Sequence, residues 1–231
     1  MKKLLCMLLA MAAPMVPLAA KNYVVKSPDK DYRLTVTAGD GSTSYSVDYK
    51  GKTIINKSVI GLLEADGRWI GDGAVSSTEK SSHKGSVDVV VGKNDTLADN
   101  YNQLTLVYDG GDYRLTLRAY DEGVAYQWTL NYPGELTVAN ELFEADFGNE
   151  PVKVHFPQCE TRTWTEWDLK HQPHEINQAY RNFEREYIRY ESIDAIPDSA
   201  ISTSPALFTL PGGKVRVAVT EANVYDYPGL Y

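Results

Sequence analysis

Strict alternation of apolar and polar side chains is the feature that most limits what this chain can fold into. Residues 104–108 and 113–117 both alternate, and residues 109–112, with a Gly-Gly pair, connect them. Residues 124–130 follow with the same period. A period of two gives a strand one apolar and one polar face, which is typical of antiparallel sheets packed on one side. The pattern predicts a hairpin over residues 104–117 that continues into a third strand.

The same alternation recurs along most of the remaining chain, at residues 32–36, 45–49, 152–156 and 215–219. Many short strands joined by turns, with hardly any helical periodicity, indicate a sandwich or a barrel. We therefore predict an all-β antiparallel fold, either a sandwich or a barrel, as one domain over residues 21–231. Two long irregular insertions interrupt it, at residues 71–92 and 158–204. Such insertions in a β scaffold are where functional sites tend to lie.

The first twenty residues have the features of a secretory signal peptide. Lys2 and Lys3 supply positive charge, the residues from Leu4 to Leu18 are almost wholly apolar, and Ala20 ends a small-residue cleavage pattern. The apolar run is shorter than the stretch that a transmembrane helix normally needs. The sequence predicts cleavage after Ala20 and a periplasmic or secreted protein that does not use the membrane as a partner.

Charge and cysteine content exclude several functions. The chain carries a formal net charge of −8, and loss of Lys2 and Lys3 with the signal peptide makes the exported protein more acidic. Such a surface repels phosphate backbones, so nucleic acid is not an expected partner, whereas neutral sugars, peptides and cations are compatible. Cys159 is the single cysteine after residue 20. An internal disulfide and a cysteine zinc site are therefore excluded.

Carboxylates are most concentrated in residues 183–187, of sequence Phe-Glu-Arg-Glu-Tyr. In a strand, Glu184 and Glu186 would share a face and repel each other unless a cation or a base lay between them. Hard oxygen ligands of this kind suit calcium. The alternative, which spacing alone favours, is a solvated charged strand in which Arg185 and Arg189 pair with the acids.

Two tryptophans and two histidines stand in the second insertion. Trp164 and Trp167 could form a flat aromatic platform on which the C–H face of a sugar stacks, or they could be core residues under a loop. His171 and His174 do not have the spacing of the helical H-E-x-x-H zinc site, and Pro173 disfavours a regular helix across them. We expect these histidines in an exposed loop rather than on a metal.

The closing stretch of the chain resembles a known family. Residues 219–229, Val-Thr-Glu-Ala-Asn-Val-Tyr-Asp-Tyr-Pro-Gly, resemble the T-E-A-(D/N)-x-x-D-Y-P-G-M run that ends the N-terminal domain of glycoside hydrolase family 97 enzymes. Other segments resemble further family motifs in the same order and over nearly the whole mature chain. They are residues 23–29, 45–52, 118–126, 183–187 and 204–208.

The resemblance implies a fold and a role. The fold is a large antiparallel super-sandwich of two sheets, which in the family precedes a (β/α)8 barrel and a small β domain. The barrel carries most of the machinery that cleaves α-glucosidic or α-galactosidic bonds. The family also binds calcium near the sugar, and its N-terminal domain is thought to lend a glutamate. By motif that ligand is Glu186, with Glu184 second.

The sequence also departs from the family pattern. A strand–helix alternation is missing, so we expect the chain to stop before the barrel, with a sandwich that is incomplete at its C-terminus. The chain alone is then not expected to be an enzyme. We predict the non-catalytic N-terminal domain of a calcium-dependent periplasmic α-glycosidase, which packs on the barrel and contributes Trp164, Trp167 and Glu221 to the carbohydrate pocket. The alternative is a free-standing exported protein that binds carbohydrate through Trp164 and Trp167, and a remote option is an active enzyme built on the sandwich alone.

Overall fold

The computed structural model describes residues 20–90, 92–132, 135–160, 187–197, 201–202 and 204–223. Within these ranges the segments of alternating sequence form β-strands. The strands are β1 (Lys21–Lys26), β2 (Tyr32–Ala38), β3 (Thr43–Tyr49), β4 (Lys52–Glu64), β5 (Trp69–Ile70), β6 (Val75–His83), β7 (Ser86–Asp88), β8 (Thr96–Ala98), β9 (Tyr101–Tyr108), β10 (Tyr113–Tyr120), β11 (Gly123–Leu130), β12 (Val138–Phe143), β13 (Lys153–Phe156), β14 (Gln158–Glu160), β15 (Ile188–Tyr190), β16 (Ile201–Ser202), β17 (Ala206–Thr209) and β18 (Arg216–Val219). Short 3-10 turns lie at Asp109–Gly111 and Ile193–Ala195.

The chain divides into two compact units, Met1–Asp146 and Phe147–Tyr231. The first unit holds two main antiparallel sheets. One has the strand order β1-β2-β3-β4-β12, with β5 added on β4, and the other has the order β11-β10-β9-β6. The strands β7 and β8 pair separately as the outer part of the hairpin that joins β6 to β9.

The predicted hairpin over residues 104–117 is confirmed. The strands β9 and β10 pair from Tyr108 with Tyr113 to Tyr101 with Tyr120. The turn between them includes Gly110 at a φ of 74° and Gly111 at a φ of 120°. These are left-handed conformations that glycine adopts without the steric cost of a Cβ, which explains why a Gly-Gly pair closes this hairpin.

The core of the first unit lies between its two sheets. Along β10 the side chains alternate between buried and half-buried, so that one face of the strand enters the core. The facing sheet contributes alternate residues of β2 in the same way, and the first half of β3 is buried on both faces. The residues of these strands and of β9 with almost no exposure are Leu34, Val36, Val47, Leu106, Tyr108, Tyr113, Leu115 and Leu117.

A buried hydrogen-bond network links the two sheets. Thr43 Oγ1, on β3, donates to the carbonyl oxygen of Gly71 at 2.6 Å and lies 2.8 Å from the hydroxyl of Tyr108, on β9. Because the single Thr43 hydroxyl proton is used on Gly71, Tyr108 is the donor to Thr43. The Tyr113 hydroxyl accepts from the backbone N–H of Gly71 at 3.3 Å and of Gly73 at 2.9 Å.

Aromatic packing completes this network, which we call the tyrosine network (Thr43, Gly71, Gly73, Tyr108 and Tyr113). The rings of the two tyrosines stack with their centroids 4.7 Å apart, and the ring of Trp128 lies 5.9 Å from each. Burial raises the pKa of Tyr113 to about 12. Its hydroxyl therefore stays protonated at neutral pH and can accept both N–H groups.

The second unit is built on a smaller antiparallel sheet of order β15-β13-β17-β18, and β14 pairs separately with β16. Val154 and Phe156 of β13 are buried on one face. The ring of Phe156 lies 5.7 Å from that of Tyr190, and the rings of Phe147 and Phe208 lie 4.7 Å apart. Aromatic side chains therefore contribute much of the packing in this unit.

The all-β antiparallel sandwich predicted from the sequence is confirmed. The insertion at residues 71–92 contains the outgoing arm of a long hairpin, β6 and β7, which returns through β8 and β9. The single domain over residues 21–231 and the cleavage after Ala20 stay predictions, and residues 224–231 lie outside the described chain. Among the described residues, none belongs to a helix with the length and apolar character needed to cross a membrane.

Replacing Tyr113 by Phe tests the tyrosine network. We expect Tyr113→Phe to lower the free energy of unfolding by about 1–3 kcal/mol, because it leaves the N–H of buried Gly71 without an acceptor. Denaturant unfolding followed by circular dichroism measures the change. The matched control is Tyr120→Phe on the same strand, whose half-buried hydroxyl accepts from Arg118. Equal destabilisation by the two variants would contradict a special role for the network.

Candidate functional site

Most residues predicted to form the site cannot be placed. Trp164, Trp167, Glu184 and Glu186 lie outside the described residues. Glu221 is described, and it follows the end of β18 by two residues with a half-buried side chain. The geometry around the candidate site is therefore that of Glu221 and of the strands that lead into and out of the second insertion.

The strand register places two of the predicted segments at one end of the second unit's sheet. Ile188, the first residue of β15, pairs with Phe156, the last residue of β13. Val219, the last residue of β18, pairs with Ala206, the first residue of β17. Since neighbouring strands are antiparallel, β15 starts and β18 stops at the same end of the sheet. Glu221 thus lies at the end where the segment that carries Glu184 and Glu186 enters β15.

The second insertion also leaves the body of the unit at this end. β13 continues through Pro157 into β14, and β16 precedes β17. Ser202 Oγ, on β16, donates to the carbonyl oxygen of Pro157 at 2.8 Å. This sheet end, where Phe156, Ile188, Ala206 and Val219 lie, is the candidate site.

Glu191 lies at the other end of the second unit's sheet, away from the candidate site. It follows Tyr190 at the opposite end of β15, where its Oε2 lies 2.7 Å from Lys153 Nζ and its Oε1 forms an ion pair with Arg189. The hydrogen bond from Lys153, with a smaller contribution from Arg189, holds the pKa of this carboxyl below its ordinary value. For Glu191 and Arg189 the structure therefore agrees with the solvated charged strand rather than with a metal site.

The sequence analysis did not single out His155, which has a buried and unpaired ring nitrogen among the described residues. His155 stands in the middle of β13, between Arg189 and Leu207 on the neighbouring strands. Its Nδ1 is buried and has no hydrogen-bond partner among the residues that the structure describes. A single histidine in an alternating strand gives no signal in the sequence that would separate it from its neighbours.

The described residues alone do not make a metal site. Nowhere in the described ranges do three or more His, Cys, Asp or Glu side chains come close enough to hold a metal ion. Calcium takes six to eight oxygen ligands. A calcium site built on three or more carboxylates would therefore draw on residues outside the described part of the chain, where Glu184 and Glu186 lie.

Two of the segments that carry the family resemblance meet in the first unit and have a structural role. Asp29 N–H donates to Asp121 Oδ1 at 2.9 Å, which ties the turn after β1 to the turn after β10. Ser27 is almost fully buried, and its Oγ donates to Asp29 Oδ1 at 2.5 Å. This bond and the N–H of Asp31 lower the pKa of Asp29. The side chains of Ser27, Asp29 and Asp121 therefore hold these two turns in place.

Comparison with known proteins adds a family to this geometry. The family model described as Glycosyl-hydrolase 97 N-terminal matches residues 25–231. A retaining alpha-galactosidase from Bacteroides thetaiotaomicron is 26% identical to this chain over 232 residues, which is all of this chain and 33% of that protein. The chain therefore spans about a third of the length of that relative.

Solved structures share the fold. A glycoside hydrolase family 97 enzyme from Pseudoalteromonas sp. strain K8, in complex with acarbose, superposes with a TM-score of 0.69 at 20% identity over 90% of this chain and 29% of its own. A beta-arabinopyranosidase gives a TM-score of 0.68 at 23% identity over 88% of this chain and 32% of its own. The sandwich is therefore similar to a part of much larger glycosidases.

The ion pairs of Glu191 can be tested by titration. We expect the Glu191 carboxyl to titrate below its ordinary pKa in the folded protein, and Lys153→Met to bring the midpoint back up, because the ammonium hydrogen bond is lost. A depressed pKa gives stability that is present above the unfolded pKa and is lost as pH falls through the folded pKa. NMR of the side-chain carboxyl measures the midpoint, with Lys214→Met as control. An unchanged midpoint in Lys153→Met would contradict the assigned cause.

Proposed function

We propose, from the premise that this chain belongs to the glycosyl-hydrolase 97 N-terminal family, that it is the non-catalytic N-terminal sandwich of an exported, calcium-dependent α-glycosidase. The observation that carries the proposal is the family match over residues 25–231. The chain corresponds to 33% of the related galactosidase and to about the same share of the related solved enzymes. The remaining two thirds of such proteins are the expected place of the catalytic barrel.

The proposed substrate is an α-linked sugar. The relative is named a retaining alpha-galactosidase, and related solved enzymes are described in complex with acarbose and with panose. Carried to this chain, these names support a glucoside or a galactoside as the substrate of the whole protein. The acidic chain, with its net charge of −8, is compatible with such neutral ligands.

The proposed contribution of the domain is one rim of the sugar pocket. In this proposal Trp164, Trp167 and Glu221 face the catalytic barrel and contact the carbohydrate. Support comes from the sheet end described above, because β18, which leads to Glu221, stops at the end where β15 starts, although the two are opposite edge strands of the sheet. The two tryptophans belong to the insertion that departs from the same end, and aromatic rings are suited to the C–H faces of sugars.

The proposed calcium ligand from this domain is Glu186, with Glu184 as the second candidate. Carboxylate oxygens are the ligands that calcium prefers, and both residues lie next to β15 in sequence. When bound, calcium would polarise the oxygen atoms of the sugar site. This chain would hold the ion from one side, and the other ligands would come from the catalytic part.

Export is part of the proposal because of the first twenty residues. The pattern is typical of a signal peptide that signal peptidase removes, with Lys2 and Lys3, then an apolar run, and then Ala20 at the expected cleavage site. Periplasmic or secreted location fits an enzyme that meets its polysaccharide substrate outside the cytoplasm. Mass spectrometry of the N-terminus of the native protein tests the cleavage site.

The proposal predicts that the purified chain does not hydrolyse α-glycosides. We expect no turnover of nitrophenyl α-glucoside or α-galactoside, with or without calcium, because the catalytic carboxylates belong to the barrel. The matched measurement is the intact mass of the native product in its host. A product several times larger than 25.7 kDa, active on the same substrates, agrees with the proposal.

Two results would overturn it. Calcium-dependent turnover by the purified chain would place the active site on the sandwich. A stable native product of 25.7 kDa that binds oligosaccharides but does not cleave them would favour a free-standing carbohydrate-binding protein. In that case Trp164→Ala or Trp167→Ala should abolish binding.

The calcium ligand is tested in the native enzyme by substitution. We expect Glu186→Gln to lower calcium affinity by at least about tenfold, since even residues that only support metal ligands have effects of about 10–100-fold. Glu191→Gln is the matched control, because Lys153 and Arg189 already neutralise that carboxylate. Calcium titration by calorimetry gives both affinities. Equal affinities in the two variants would remove Glu186 from the site and leave Glu184→Gln as the next test.

A further inference from the structure

The outer face of the sheet β11-β10-β9-β6 carries a row of three rings. His83 on β6 pairs with Tyr101 on β9, and Tyr101 pairs with Tyr120 on β10. In β10 the alternate residues Leu117 and Ala119 are fully buried, so the Tyr120 side chain points away from the core. We call His83, Tyr101 and Tyr120 the aromatic row.

The rings of the aromatic row are in contact with one another. The centroids of Tyr101 and Tyr120 are 5.0 Å apart with an interplanar angle of 56°, and those of His83 and Tyr101 are 5.4 Å apart. His83 Nε2 also lies 3.4 Å from Asp99 Oδ2. The row is therefore a set of tilted rings in contact across three strands.

Arg118 holds the row in place. Its guanidinium carbon lies 4.2 Å from the centroid of the Tyr101 ring, which is a cation–π contact. Its Nε donates to Gln103 Oε1 at 2.8 Å, and one of its terminal nitrogens donates to the Tyr120 hydroxyl at 3.2 Å. Rings fixed in this way lose little freedom when a ligand binds, which favours affinity.

A depression of about 230 Å³ adjoins the Tyr120 end of the row. Asn100, Tyr120, Asp121 and Glu122 are among the residues that line it. Gly123, paired with Tyr120 across the β10–β11 turn, leaves open space, since a Cβ at that position would meet no atom within 4 Å. An aromatic wall, hydrogen-bonding side chains and free space thus occur side by side.

We propose that Tyr120, the rest of the aromatic row and this depression form a binding site for a neutral saccharide. One ring of a sugar would stack its C–H face on an aromatic side chain while its hydroxyls bond to the amide of Asn100 and the carboxylate of Glu122. Asp99, Asp121 and Glu122 disfavour an anionic ligand. The choice of a sugar as ligand class rests on the proposed function, but none of the residues that form this site is among those predicted to contact the substrate.

The role that follows is retention of substrate. A sugar site that holds no catalytic group would keep a polysaccharide chain near the enzyme and raise its local concentration, because a second contact makes the next binding event intramolecular. The ligand would be an α-linked oligosaccharide of the kind the whole protein is proposed to cleave.

NMR titration of the purified chain with panose and with raffinose, as α-glucoside and α-galactoside probes, tests the proposal. We expect backbone signals of residues 120–123 to shift with a dissociation constant on the order of millimolar. Tyr120→Ala should weaken binding at least about tenfold. If that variant fails to fold, Gly123→Leu gives the same test, because the added side chain starts in open space at the position paired with Tyr120.

The matched control is Gln127→Leu, which adds the same side chain at an exposed position of β11, four residues further along the same face. It should leave the affinity unchanged. The proposal is overturned if neither sugar shifts these signals, or if Gly123→Leu binds as tightly as the unchanged chain. It is also overturned if the signals respond only to the catalytic part of the protein, which would make this face a protein interface.

Binding is read without turnover, so failure of this site and failure of the proposed function are distinguishable. Sugar binding that survives Gly123→Leu but is lost in Trp164→Ala would remove the site proposed here and leave the predicted tryptophan platform intact. Turnover by the purified chain would overturn the proposed function while leaving the Tyr120 measurement valid.

Discussion

The tyrosine network is the interaction on which the first unit depends. Two sheets that meet through apolar side chains can slide, because hydrophobic contact is not directional. The hydrogen bonds from Tyr108 through Thr43 to Gly71, and from Gly71 to Tyr113, fix the position of one sheet on the other. They also hold the segment after β5, whose buried backbone N–H would otherwise be unsatisfied. This fixed core therefore determines where the side chains on the outer faces of the two sheets lie.

A sandwich that is fixed in this way leaves its outer faces and sheet ends available for function. In β10 the alternate side chains Leu115 and Leu117 fill the core, and Arg118 and Tyr120 are then on the outer face by the geometry of the strand. The register with β9 sets Tyr101 beside Tyr120. The aromatic row is thus a direct consequence of the pairing that builds the core, and a slip of one residue would bury it.

The fold was predictable from the sequence to a greater extent than the site, for physical reasons. A period of two reports burial on one face, so the hairpin of β9 and β10 and the all-β class followed from local pattern alone. The aromatic row could not be predicted, because His83 is separated from Tyr101 by the β7–β8 arm and only the register of two strands makes them neighbours. The Tyr113 hydroxyl likewise bonds to Gly71 and Gly73, forty residues away, in a segment whose composition reads as an irregular insertion. Arg189 shows the opposite case, since the sequence analysis offered its pairing with a nearby acid as an alternative, and the structure pairs it with Glu191.

The two regions of interest differ in what they require of the rest of the protein. The described residues near Glu221 do not bring three or more His, Cys, Asp or Glu side chains together, so the calcium site that we propose there would be completed by other segments. The outer face at Tyr120 already contains its rings, its hydrogen-bonding groups and its open space within one sheet and its turns. A function that depends on the sheet end should therefore appear only in the assembled enzyme, whereas sugar binding at Tyr120 should be a property of the isolated chain. Since the Tyr120 site is built on strands whose positions the core fixes, its affinity should change little on assembly.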